Sequence, residues 1–164
     1  MTLTFSVYGV PVPQGSMRAF IPKGWKRPVL TSANPKLKSW RQLVAEGASQ
    51  AMQAQPASER GLLLDGVRLT VAFYLPRPKS LSKRVTANVK KPDIDKCVRS
   101  ILDSLTRVVF RDDSQVVELF ATKQYASLTD APHVDICVEA TTGTRQKTQS
   151  SPLPSLPLWE AARP

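Results

Sequence analysis

Residues 90–118 constrain the fold more than any other stretch of this chain. Pro92 closes an upstream loop, and Asp93 is a good N-cap for a helix running from about Ile94 to Thr106. Ile94, Val98, Ile101, Leu102 and Leu105 recur at helical spacing and predict its core face. Asp95, Arg99 and Asp103 recur four residues apart, so they share another face. Val108-Val109-Phe110 follows as a short apolar piece. Asp112-Asp113 reads as a turn, and Val117, Leu119 and Ala121 alternate as a strand. A helix running into a strand commits the chain to a mixed architecture. It also brings two acidic pairs, Asp93/Asp95 and Asp112/Asp113, into one segment flanked by basic residues.

The remaining elements agree. Leu3, Phe5 and Val7 alternate with polar neighbours as a half-buried strand, which Gly9 and the prolines after it break. Residues 17–32 read as irregular and basic, with Arg18, Lys23, Lys26 and Arg27 beside Phe20 and Trp25. That mixture suits a nucleic-acid backbone or an unpaired base, and equally a surface loop whose aromatics pack down. Asn34 as N-cap and Pro35 at the first helical position start a helix whose Leu37, Trp40, Val44, Ala48 and Ala51 form one apolar stripe. Residues 67–75 alternate most regularly of all, with Val67, Leu69, Val71, Phe73 and Leu75 on one side. Residues 76–91 form a long basic loop, of the kind that in compact domains binds something or is disordered. Val134, Ile136 and Val138 propose a further strand. The expected fold is α+β, a small mixed sheet of about four strands packed against two helices. It occupies residues 1–140, and residues 141–164 form a disordered tail rich in Pro, Ser and Thr.

Charge then bears on partners. The 164 residues carry 23 Lys and Arg against 13 Asp and Glu, a formal +10, which favours a polyanion such as nucleic acid. The two cysteines, Cys97 and Cys137, have neither metal-ligand nor disulfide spacing and read as reduced core thiols. No apolar run approaches the roughly 20 residues of a membrane span, and the N-terminus alternates where a signal peptide would be apolar. The expected location is cytoplasmic, with no membrane partner. His133 is the only histidine, which argues against a histidine triad or a zinc site.

Oxygen ligands are the chemistry of magnesium, which is usually held by one or two carboxylates plus water and substrate phosphates. Asp93, Asp95 and one of Asp112/Asp113 supply that set, the first pair at a helix start whose dipole favours negative charge. Two metals about 3.5–4 Å apart can activate an attacking water and stabilise the leaving oxygen of a phosphodiester. An EF-hand is excluded, because Cys97 and Val98 stand where the calcium loop needs an oxygen ligand and a glycine. Taken alone, each acidic pair is also explained as a helix cap or a turn.

The stretch Lys91-Pro-Asp-Ile-Asp-Lys-Cys-Val-Arg-Ser-Ile-Leu-Asp-Ser-Leu, followed by Phe110-Arg-Asp-Asp-Ser-Gln-Val-Val, resembles the signature of the RusA family of Holliday junction resolvases. The opening Gly9-Val-Pro-Val-Pro-Gln-Gly-Ser-Met-Arg resembles the start of phage and bacterial members, so that about residues 3–140 are covered. The resemblance implies a bacterial or phage-encoded α+β homodimer that binds four-way DNA junctions in recombination and repair. It implies paired nicks made with magnesium or manganese. Asp93, Asp95 and Asp113 match the family's metal-binding acids, and Arg99 falls at its catalytic lysine. Arg18, Lys79, Lys83, Arg84, Lys90, Lys91 and Lys96 are the expected DNA-backbone contacts. Two positions depart from the pattern: Lys96 replaces an asparagine and Arg99 a lysine. A planar guanidinium is not equivalent to a compact ammonium, and the exchange bears on turnover more than on binding. A junction-binding protein of the same fold that has lost cleavage is therefore the alternative. A basic adaptor whose aspartates only cap and turn is the plainest reading.

Overall fold

The computed structural model describes residues 1–141 except 16, 33 and 83; the side chains of residues 17, 18 and 30–32 are likewise not described. Its elements are β1 (Thr2–Tyr8), β2 (Met17–Phe20), β3 (Val29–Ser32), α1 (Lys36–Gln53), β4 (Val67–Leu75), α2 (Ile94–Leu105), β5 (Val116–Tyr125) and β6 (His133–Ala140). Four strands form a mixed sheet in the order β1-β6-β4-β5, as the α+β expectation requires. β6 lies antiparallel to both β1 and β4, whereas β5 runs parallel to β4 with Val67 opposite Val116. α2 sits on the connection between the parallel pair, as such crossovers demand.

Alternation decides which face is covered. Every second residue of β4, from Val67 to Leu75, is buried, and so are Leu3 and Val7 of β1 and Val134, Ile136 and Val138 of β6. These side chains form one core with Trp40, Val44 and Ala48 of α1 and Val98, Ile101 and Leu105 of α2. Burying each such aliphatic side chain is worth about 1.5–3 kcal/mol. α1 can approach β1 closely because residue 47 is glycine: a Cβ there would lie 3.1 Å from Val7 Cγ2. Val109 and Phe110, the short apolar piece after α2, are fully buried and anchor the return to the sheet.

The structure departs from the sequence expectation in three places. Residues 17–32 are an antiparallel ribbon, β2 paired with β3, and not an irregular loop. Its aromatics do not pack down: Phe20 is 50% and Trp25 64% exposed. α1 begins at Lys36, one residue later than expected, while Asn34 Oδ1 still accepts the Lys36 amide at 3.1 Å. His133 stacks on Tyr74 with ring centroids 4.2 Å apart, which leaves the argument against a histidine triad or zinc site untouched. The expected tail lies outside the described residues from 142 onward. Among the described residues no helix is long and apolar enough to cross a membrane.

Candidate active site

The site is built on the first two turns of α2 and the turn that enters β5. Asp93 occupies the N-cap position, but its carboxylate does not cap the helix. It accepts a hydrogen bond from Lys96 Nζ at 2.8 Å. That bond and the lysine's charge hold Asp93 below the ordinary carboxylate range, and Lys96 is raised in return. Asp93 and Lys96 line one cleft together with Lys90, Lys91 and Pro92.

Asp95 lies on the other side of the same helical turn. It shares a cavity of about 510 Å³ with Arg99, Asp113, Leu119 and Ala121. The adjoining cavity is lined by Arg99 and Asp113 again, with Gln14, Arg41, Asp103 and Thr106. The face predicted from the four-residue spacing is therefore real, but its members differ in state. Asp103 is paired with Arg41 of α1, which also donates to Gln14. Asp95, Arg99 and Asp113 are exposed, and among the described residues their side chains have no hydrogen bond or salt bridge. An acid and an arginine four residues apart on a helix would ordinarily pair for about 0.3–0.5 kcal/mol. Here they stand open toward a common space.

Asp113 is aimed by a capping box. Asp112 Oδ1 accepts the Ser114 amide at 3.0 Å, and the Gln115 side chain accepts the Asp112 amide at 2.9 Å. The Ser114 bond also lowers Asp112 below the usual carboxylate range. The Gln115 amide group then donates to Leu63 O and Asp65 O, each at 3.0 Å, tying the turn to the segment before β4.

The other wall is fixed from β5. Lys123 Nζ donates to the carbonyls of Lys90 at 2.8 Å and Pro92 at 2.7 Å, holding the segment that leads into α2. From the opposite side the Gln14 amide donates to Lys96 O at 2.8 Å. Beneath the turn, burial pushes the Cys97 thiol up to about 11, although the nearby Lys123 charge opposes it. Cys97 is an inert core thiol, as its placement inside the helix predicts.

The structure thus brings Asp95, Arg99 and Asp113 together and sets Asp93 in the neighbouring cleft. Among the described residues no group of three or more His, Cys, Asp or Glu side chains is arranged to hold a metal ion. Two open carboxylates beside an unpaired guanidinium nonetheless fit a magnesium-type cation, which needs only one or two protein carboxylates. Of the expected backbone contacts, Lys79 and Arg84 are exposed in the loop after β4, and Lys90, Lys91 and Lys96 are exposed around the Asp93 cleft. Arg18 is in β2 with its side chain among those not described, and Lys83 lies outside the described residues. Sequence reasoning missed Gln14 and Lys123, which carry no local signature. It also missed Gln115, whose spacing from Asp112 does signal a capping box.

Residues 9–139 match the family described as Endodeoxyribonuclease RusA. The chain belongs to this family. It is also similar to an uncharacterized protein, YqaN, of Bacillus subtilis (strain 168), at 33% identity over 146 residues, covering 83% of this chain and 94% of that protein. The RusA family is one of endodeoxyribonucleases, and the match spans every element that positions the cavity of Asp95, Arg99 and Asp113.

Proposed function

We propose that this RusA-family chain is a magnesium- or manganese-dependent endonuclease that resolves four-way DNA junctions by paired nicks. It would act in recombination and repair, in the cytoplasm of a bacterium carrying the host or phage gene. One observation carries the reading: Asp95, Arg99 and Asp113 have no intramolecular partner among the described residues, yet line one cavity of a +10 chain. Charges left unpaired in this way are available for a ligand of mixed charge, such as a phosphodiester with its cation.

Asp95 and Asp113 would hold the metal, with Asp93 as the third candidate ligand once Lys96 turns to DNA. When bound, the metal polarises the phosphate and lowers the pKa of a coordinated water. The protein's own contribution is positional. Arg99 donates to a non-bridging phosphate oxygen, where charge builds up as the attack proceeds. Lys79, Arg84, Lys90, Lys91 and Lys96 grip neighbouring phosphates, with Arg18 and Lys83 as further candidates. The Arg41–Asp103 pair braces α2 against α1 and keeps Asp103 from competing for Arg99.

Cutting opposed strands needs two sites related by a two-fold axis, so the working unit is a homodimer. Support comes from β5, a sheet edge on which Val117, Leu119 and Phe120 are 63%, 47% and 61% exposed. Exposed apolar edge strands are where another chain pairs. A second reading, binding without cleavage, is favoured by the Lys96–Asp93 hydrogen bond, which occupies one acid of the expected trio. Incubation of an end-labelled junction and its matched duplex with the protein and magnesium separates the readings. Symmetric nicks in the junction alone are expected. Junction binding without nicks at every metal concentration favours the second, and equal affinity for both DNAs favours the basic adaptor.

A further inference from the structure

An apolar cleft lies beside the acidic cavity, and beyond its lysines and Asp93 its walls have no role in that reading. It measures about 590 Å³, within the roughly 300–1,000 Å³ of small-molecule sites. Val10, Pro11, Pro13, Pro76, Pro78 and Tyr125 give it apolar walls. Lys90, Lys91 and Lys96 contribute the cationic part of its lining, and all three are exposed. Asn88 also lines it and is 7% exposed. Its Oδ1 accepts the Lys90 amide at 2.9 Å, and its side-chain Nδ2 has no hydrogen-bond partner among the described residues. An apolar slot, an unpaired amide donor and three ammonium groups match the parts of a nucleotide: an apolar face, an acceptor on the base edge, and the phosphates. Val10 and the prolines offer apolar surface for a base, and lysines the charge for its backbone.

Position selects the occupant. The first turn of α2 separates the two spaces, with Asp93 and Lys96 on the cleft and Asp95 on the acidic cavity. Gln14 lines this cleft and also the cavity that Arg99 and Asp113 share. A strand whose phosphodiester reaches Arg99 therefore runs beside this cleft. We infer that the cleft receives one unstacked nucleotide at the branch point, its base against Val10 and the prolines and its phosphates on Lys90, Lys91 and Lys96. This rests on the junction-binding reading. It gives that reading a source of selectivity, because a base at a branch point costs less to unstack than one inside a duplex.

The test is 2-aminopurine fluorescence. The fluorophore is placed in turn at each branch-point position of a four-way junction, without divalent metal, at protein concentrations that saturate binding in a parallel gel-shift. With wild-type protein one position brightens several-fold, whereas the same base in linear duplex does not. Val10 lines the cleft and is 55% exposed, so it can be changed without disturbing the core. Val10→Glu places a carboxylate in the cleft and abolishes the rise at saturation, while Val10→Ala retains it. If no position brightens on a junction the wild type saturates, or Val10→Glu gives the wild-type rise, the nucleotide cleft is wrong and the junction reading stands. If the wild type fails to shift the junction, both fall together.

Discussion

Removing the Lys123 ammonium tests whether the entry to α2 is held from β5. In Lys123→Met the chain keeps its length, but the carbonyls of Lys90 and Pro92 lose their shared donor. A hydrogen bond from a charged donor contributes roughly 1.5–3 kcal/mol. The bond to Lys90 is exposed and water replaces much of it, whereas the bond to Pro92 is part-buried and its carbonyl is left poorly satisfied. The expected loss is about 2–3 kcal/mol, of which the part-buried bond supplies most. At about 2–4 °C per kcal/mol for a domain near this size, calorimetry should record a fall in Tm of about 4–12 °C. The same bonds place Asp93 and Asp95, and a misplacement of about 1 Å costs up to about 10²-fold in rate. Junction nicking should fall by tenfold or more. The Cys97 thiol, which the Lys123 charge pulls down against burial, should titrate above its present value of about 11. An unchanged Tm together with unchanged nicking would refute the role given to Lys123.

Three further outcomes follow from the same geometry. Arg99→Ala should lower nicking by about 10²–10³-fold with junction affinity nearly intact, and Arg99→Lys should lower it less; wild-type turnover in the alanine variant would remove Arg99 from the chemistry. Junction affinity should fall steeply with salt, and Lys90→Ala should reduce the slope of log affinity against log salt by about one, as measured by titration over a salt series. Asp93 and Asp112 should titrate below the ordinary aspartate value of about 3.9 in carboxyl NMR, so any stability they add is present above it and fades as pH drops through their lowered values. Lys96→Ala should return Asp93 upward and leave Asp112, held by Ser114, where it is; an Asp93 that does not respond would contradict the pairing.

What could be read from the sequence was periodic. The alternation of residues 67–75 and the helical spacing after Asp93 reappear as β4 and α2 because a sheet and a helix each bury one face, and burial writes itself into the spacing of apolar residues. The face of Asp95, Arg99 and Asp103 was legible for the same reason. Pairing across the chain was not. Nothing local to Asp103 says that Arg41 will take it, whereas the Asp93–Lys96 pair lies three residues apart and was within reach of local spacing. The β2–β3 ribbon escaped because neither short strand alternates, so cross-strand pairing sets it and not a buried face. Lys123 escaped because a lysine on an edge strand ordinarily reads as solvated charge, and only the fold brings two carbonyls to its tip.

The central claim is that the space between Asp95, Arg99 and Asp113 is where the phosphodiester is cut. Its most direct measurement is the nicking rate of a four-way junction by Asp95→Asn, Asp113→Asn and Asp103→Asn under saturating magnesium, beside the wild type. The account predicts that the first two bind the junction as tightly as wild type, or more tightly, and do not cut it. Asp103→Asn, which loses only its pairing to Arg41, should keep cutting. Wild-type rates in either of the first two variants would contradict the claim.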